Sequence, residues 1–284
     1  MSVDANGRVG VLRVVGTPIG NLGDLSPRGR AALEQADLVA CEDTRRTGRL
    51  YSALGIASPR FVVVNDHTEA DALDGLVRAA QAGRDVVLVS DAGMPAVSDP
   101  GARVVDAARR AGVPVEVVPG PSAVLTALVS AGFVADRFCF EGFLPRKGAA
   151  RSQRIAALAS EQRVAVLFEA PHRVRRLADD LLAVLGPSRV VAVCRELTKL
   201  HEETWRGGLG DAVEHLAERE PRGEYVLVVE GASELPVEDD RLREALAATL
   251  ASGGSRRDAV DEVAATFGVA RRRVYELALD EGGA

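Results

Sequence analysis

The chain has 284 residues, 47% of them apolar and 27% charged, with a net charge of −6. That is ordinary globular composition with length for more than one core, and no apolar run approaches the ~20 residues of a membrane span. The negative balance excludes a uniformly basic nucleic-acid binder while leaving room for local basic patches.

The start, MSVDANGR, has no signal-peptide apolar region, so a cytoplasmic protein without a membrane partner is expected. Val11 to Gly16 reads as a first strand. The Gly-rich turn Thr17 to Leu25 follows it, and Ser26-Pro27 caps a helix running to about Ala36. Asp37 to Cys41 is the second strand, ending in Glu42-Asp43-Thr44-Arg45-Arg46. Those carboxylates and arginines read either as a site or, better on pattern alone, as a capped, solvated helix start. Phe61 to Val64 is a third strand, with a helix to about Ala82 behind it. His67 in between reads as a loop histidine, since no second histidine sits at metal spacing.

Val86 to Ser90 is a short buried strand. The loop after it, Asp91 to Pro100, cannot continue a central strand, because Gly93 and Pro95 interrupt it. Its ten or so residues exceed the usual 2–6 of a βα connection, and ligands of open α/β sheets bind at such strand ends. Asp99 reads as the cap and Pro100 as the first residue of the next helix, whose stripe is Val104, Val105 and Ala108. Val115 to Val118 is a fifth strand, closed by the tight turn Pro119-Gly120-Pro121-Ser122-Ala123. Five strands alternating with helices predict a mostly parallel sheet.

After Gly132 the pattern changes. Arg137 to Phe143 alternates aromatic and polar residues as an antiparallel strand does. LPRKGAARSQR, Leu144 to Arg154, holds four cations and no acid. Val164 to Phe168, Arg189 to Cys194 and Tyr225 to Val229 are further strands, with HEETWRGGL as an edge hairpin. A domain boundary is expected at 120/121. Gly231 to Asp240 reads as a linker, after which Leu242–Leu250, Asp258–Phe267 and Arg271–Leu279 form a small helical domain, 238–284, resembling a helix-turn-helix unit or a docking tail. Cys41, Cys139 and Cys194 each fall in a strand-like run and read as buried free thiols.

Seven segments in one order, TPIGNLGDLSPR, CEDTR, SDAGMPAVSDPG, PGPSA, GFLPRKG, FEAPHR and CRELTK, resemble the small-subunit ribosomal RNA (cytidine 2′-O)-methyltransferases. These belong to the tetrapyrrole-methylase-like class of S-adenosylmethionine (SAM) enzymes, and the similarity runs from about residue 11 to 232. It implies two α/β domains, 1–120 and 121–232, with SAM in the cleft between them, and a homodimer without metal. It also implies ribosomal RNA or the assembled 30S subunit as partner, and methylation of one cytidine ribose in the decoding region. The cofactor segments carry over to Asp91, Ala92, Gly93, Met94, Pro95, Gly120, Pro121, Ser122 and Ala123, with Phe168, Glu169 and Ala170 from the second domain. Met94 stands where the family more often has Thr. A ribose hydroxyl needs a base or a cation to help it react, and Glu42, Asp43 and Lys147 are the candidates. Arg146, Arg151 and Arg173, with Arg271 and Arg272 in the tail, are the expected phosphate contacts. The alternatives are a tetrapyrrole or other small-molecule methylase, a non-enzymatic RNA-binding adaptor, and an oxidoreductase using Gly16–Gly23 on phosphates and Glu42 on a ribose.

Overall fold

The structure, a computed structural model, describes residues 9–65, 68–218, 220–233, 238–251, 255–267 and 269–280. His67, the start MSVDANGR and parts of the 231–240 and SGGS connections lie outside the described residues. The chain divides into two compact units, one ending at Gly231 and the other beginning at Ala232.

In the first unit, β1 (Leu12–Val15), β2 (Leu38–Cys41), β3 (Arg60–Val63), β4 (Val86–Leu88) and β5 (Val115–Val118) form one sheet in the order β3-β2-β4-β1-β5. Every pairing in it is parallel, as the alternation with helices predicts. The connections are α1 (Pro27–Glu34), α2 (Thr44–Leu54), α3 (Glu69–Gln81) and α4 (Ala102–Arg110). Successive strand residues feed two cores. Leu12, Val14, Leu38, Ala40, Val86 and Leu88 pack with Val104 and Ala108 of α4, while Val15, Val39, Cys41, Val87 and Val89 pack with Leu33 and Tyr51. Covering both faces is why these strands read as continuous apolar runs.

Helix α5 (Ala123–Ala131), capped by the Ser122 hydroxyl, leads to the second sheet of the same unit. That sheet is built from β6 (Phe138–Phe143), β7 (Val164–Glu169), β8 (Val190–Arg195), β9 (Glu203–Gly208) and β10 (Tyr225–Val229), in the order β6-β7-β10-β8-β9. Helices α6 (Ala149–Ala157), α7 (Pro171–Leu185) and α8 (Leu209–Ala217) complete it. Alternation again sorts residues between faces: Leu227 and Val229 face Leu177, Leu181 and Leu209, whereas Val226 and Val228 face Val124, Ala127 and Leu128 of α5. One expectation is corrected. β6 pairs with β7 in parallel, while the other pairings of this sheet are antiparallel. Alternating polarity reports that an edge strand has one exposed face, and it carries no information on direction; the α6 crossover sets that. β9 forms the expected edge hairpin with β8.

The second unit holds α9 (Asp239–Ala251), α10 (Arg256–Phe267) and α11 (Arg271–Asp280). Leu242, Leu246, Val260, Val263, Val274 and Leu277 close a small core of its own.

Candidate active site

The loop after β4 is held in one shape from several directions. Thr17 and Gly93 form an isolated antiparallel bridge, with N–H to carbonyl distances of 2.9 and 3.1 Å. The Thr17 hydroxyl donates to the Ser90 carbonyl at 3.2 Å, and the Ser90 hydroxyl donates to the Gly93 carbonyl at 3.2 Å. Four residues of the loop are left-handed: Gly93 (φ +84°), Ala96 (+67°), Ser98 (+62°) and Gly101 (+124°). For Ala96 and Ser98 that conformation costs about 1–2 kcal/mol each, which the surrounding bonds must offset.

Gly101, not Asp99, is the N-cap of α4, so the expected cap is corrected. The buried carboxylate of Glu69 takes over, accepting the N–H groups of Gly101 at 3.1 Å and Arg103 at 3.2 Å. A side chain at Gly101 would meet Leu88 Cδ2 at 2.8 Å. Asp99 is thereby released from capping and turns to a cavity.

That cavity has a volume of about 460 Å³. The first sheet's loops contribute Ile19, Glu42, Arg46, Asp91 to Met94 and Val97 to Asp99; the start of α5 contributes Ser122 to Val124. The second sheet contributes Phe143, Phe168 to Pro171, and Glu224 to Val226. Among the described residues, five carboxylates and a single arginine line it; Glu169 is paired with Arg173 and Arg151, Glu224 with Lys199 and Asp91 with Arg46. Burial, reinforced by the charge of Glu42, raises the Asp99 carboxyl to about 6, and a bond from Ser90 opposes the rise. Burial also raises Asp91, against the pull of Arg46, whose Nε lies 3.4 Å from Asp91 Oδ2.

On the opposite wall, β7 ends in Glu169. Its Oε1 accepts the Ala170 N–H at 2.9 Å and lies 3.1 Å from Arg173 Nε; its Oε2, buried without a hydrogen bond, lies 3.9 Å from Arg151 Nη1. Arg151 also pairs with Asp180 at 2.7 Å and donates to the Pro145 carbonyl, while Arg173 donates to the Leu144 carbonyl at 2.9 Å. Phe168 meets Phe140 and Phe143 edge-on, with ring centroids 5.0 and 5.6 Å away.

The sequence-predicted residues separate accordingly. Asp91 to Met94, Ser122, Ala123, Phe168 to Ala170 and Glu42 are brought together in the cavity wall. Pro95, Gly120 and Pro121 are not among the residues that line it. Gly120 crosses Gly16 so closely that a side chain on either would lie 2.7 Å from the other's backbone. Asp43 caps α2, accepting the Arg45 N–H at 2.7 Å, which lowers its pKa; its own N–H donates to Asp91. Lys147 and Arg146 are exposed on the loop between β6 and α6, outside the wall. Arg151 is only 4% exposed, so the phosphate contact expected of it is corrected to an internal ion pair, and Arg173 is likewise engaged with Glu169. The pattern of four cations without an acid could not show that two acids distant in sequence claim one of them. Arg271 and Arg272 are exposed and paired with Asp261 and Glu276.

Arg46 belongs to the segment read either as a site or as a solvated helix start, and it lines the cavity; sequence reasoning missed Asp99, Glu224 and Tyr225. The last two enter because β10 runs antiparallel to β7, which sets Tyr225 opposite Glu169. The start of one strand thus lies beside the end of the other, and a search of strand ends alone passes over it. The Gly16–Gly23 turn does not make a phosphate cradle: the N–H groups of Gly16, Thr17 and Gly23 already donate to Val118, Gly93 and Asn21. Among the described residues, no cluster of three or more His, Cys, Asp or Glu is placed to hold a metal, and no helix is long and apolar enough to cross a membrane.

Two sheets in sequence with a ligand-sized cavity among their loops define an α/β protein with a small-molecule site, and the comparisons give its family. Residues 11–213 match the family of Tetrapyrrole (Corrin/Porphyrin) Methylases, and the chain belongs to that family. It is 46% identical to the Mycobacterium tuberculosis protein named ribosomal RNA small subunit methyltransferase I, over 95% of each chain. It is 42% identical to the Synechocystis protein of the same name, over 96% of this chain and 98% of that one. Among solved structures, uroporphyrin-III-C-methyltransferase from Thermus thermophilus is similar with a TM-score of 0.56 and 26% identity, covering 78% of this chain and 94% of that one. The methyltransferase CobJ shares the fold, with a TM-score of 0.60 at 21% identity.

Proposed function

We propose that this protein is a SAM-dependent methyltransferase that 2′-O-methylates a cytidine ribose in the decoding region of small-subunit ribosomal RNA. The observation that carries the cofactor is the acid-lined cavity. SAM bears a net positive charge, and about 460 Å³ falls within the ~300–1,000 Å³ usual for small-molecule sites. The donor set fits: carboxylates for the sulfonium and ammonium, loop backbone at Asp91 to Met94 held by the Thr17–Gly93 bridge, and the Phe168 ring for a purine. When bound, the cofactor supplies an electrophilic methyl carbon. The chain's part is alignment, which can be worth ~7–11 kcal/mol, and a destination for the hydroxyl proton. Glu42 and Asp99 are the proposed acceptors of that proton, in preference to Asp43, because both line the cavity while Asp43 caps α2. Phe143, 53% exposed at the cavity, offers its ring to the target base.

The RNA substrate is supported by relatives that match almost the whole chain. One is the Escherichia coli O157:H7 ribosomal RNA small subunit methyltransferase I, 40% identical over 98% of both chains, a span that takes in the helical unit. Arg146, a phosphate contact expected from the sequence, is exposed beside Lys147, and Arg271 and Arg272 are exposed in surface ion pairs. Helix α5 turns Leu125 and Val129 outward one turn apart, the latter 79% exposed, and this apolar face suits a homodimer. The assembly would work in the cytoplasm. Ribose mapping of ribosomal RNA by mass spectrometry, from a strain lacking the gene with and without complementation, tests the whole reading. One 2′-O-methylcytidine lost and restored is the expected result. An unchanged map, with a tetrapyrrole methylated instead, would overturn it.

A further inference from the structure

Helix α2 carries a charged surface that this reading leaves unused. Its first turn holds Arg45 and Arg46 and no acid, and Arg49 follows one turn on. At 100° per residue the three share one face, away from the buried Thr47 and Tyr51. Cations at the start of a helix oppose its dipole, so local structure disfavours them there. They are nevertheless displayed: the side chains of Arg45 and Arg46 are 87% and 61% exposed. Among the described residues, the Arg45 side chain leans only on its own cap, Asp43, at 3.7 Å, and Arg49 makes no hydrogen bond or ion pair. Arg46 is the inner member, part of the cavity wall and paired with Asp91 at 3.4 Å. A chain of net charge −6 thus gathers three arginines on one exposed face whose inner end is the cavity.

We propose that Arg45, Arg46 and Arg49 form a phosphodiester-binding track on α2 that leads an RNA strand to the cavity mouth. This rests on the RNA-methyltransferase reading above. The planar guanidinium fork suits phosphate oxygens, and Arg46 would exchange the Asp91 carboxylate for a phosphate as the strand arrives. The second sheet answers with Arg146 and Lys147, which follow shortly after the cavity residue Phe143 in the chain. Exposed cations thus stand on segments that follow strands of both sheets, while the cavity itself is lined by carboxylates.

The test uses the full-length chain and the variant R45Q/R49Q, both positions lying outside the cavity wall. Binding of transcribed small-subunit ribosomal RNA, and of an unrelated single-stranded RNA of equal length, is measured from about 50 to about 200 mM salt. The slope of log affinity against log salt should fall by about two, one for each lost phosphate contact. R45K/R49K should restore it. SAM affinity by calorimetry should be unchanged and the melting temperature not lowered, because the substitutions relieve the helix dipole. If wild type binds RNA and the variant keeps the same slope, the track is wrong and the function stands. If wild type shows no salt-dependent RNA binding, both fall. If the variant weakens binding to assembled 30S subunits but not to free RNA, the face contacts a ribosomal protein and the phosphate assignment is overturned.

Discussion

The carboxylate of Glu69 accepts the Gly101 N–H at 3.1 Å, closing a helix that begins 32 residues further along the chain. This one bond frees Asp99 for the cavity, because α4 needs no cap from its own loop. Glu69→Ala should cost about 1–2 kcal/mol in urea unfolding, the value of a lost cap, while Glu69→Gln keeps an acceptor and should cost less. SAM affinity should fall with Glu69→Ala as the loop reorganises; stability lost with affinity untouched would uncouple the cap from the site.

Asp99 gives the site a pH dependence of known sign. Its carboxyl is raised from 3.8 to about 6 by burial, so the folded protein holds this proton more tightly than the unfolded chain does. The stability it contributes is full below pH ~4 and is lost as pH rises through about 6. Affinity for a cationic ligand should move the other way, rising as the carboxylate ionises. Asp99→Asn should flatten both profiles, and its stability should exceed that of wild type at pH 7 but not at pH 4. Calorimetry at pH 5 and pH 7.5 reads the binding limb directly, and an affinity that does not change with pH would remove Asp99 from the ligand.

At Gly93 the backbone is left-handed (φ +84°) in the cavity wall, and a Cβ there would already touch Ile19 Cγ2 at 3.4 Å. Gly93→Leu should therefore weaken SAM binding at least tenfold, about 1.4 kcal/mol, while circular dichroism shows the fold retained. Equal affinity for the two proteins would count against this placement.

Arg151 and Arg146 lie five residues apart and should fail in opposite ways. Arg151→Met leaves the enclosed Glu169 carboxylate with one partner fewer, and breaking such a buried pair costs about 3–5 kcal/mol. Arg146→Gln should be neutral to stability and lower the salt slope of RNA binding by about one. Denaturant curves beside filter binding separate the two; an Arg151→Met protein that is stable but binds RNA weakly would reverse the assignment.

The helical unit has its own core of Leu242, Leu246, Val260, Val263, Val274 and Leu277. Truncation after Ser233 should leave SAM affinity nearly intact, while RNA methylation falls severely, as expected of a docking module. A truncated protein that loses SAM binding and folding together would show a structural cap instead.

The strands of the first sheet were legible from local chemistry, and part of the cavity wall, Asp91 to Met94, Ser122, Ala123 and Phe168 to Ala170, through the family resemblance. Val86 to Leu88 could only be a buried strand, and Gly93 and Pro95 could only end it. Ser26 caps its helix as its position predicts. What escaped depends on partners distant in sequence. The cap of α4 comes from Glu69, the neighbours of Arg151 are Glu169 and Asp180, and Tyr225 reaches the site only because β10 reverses direction beside β7. The direction of β6 failed for a related reason, since a one-sided edge strand alternates whichever way it runs.

Ala96 and Ser98 stand in conformations that glycine would adopt without strain. A glycine at either position would relieve the folded loop, yet it would also let the freed chain wander over many more shapes. The methyl and hydroxymethyl groups therefore act as stops: they narrow the loop's choices before any ligand arrives, so that binding needs little further ordering. Replacing both with glycine would make a protein whose cavity is easier to fold and harder to fill.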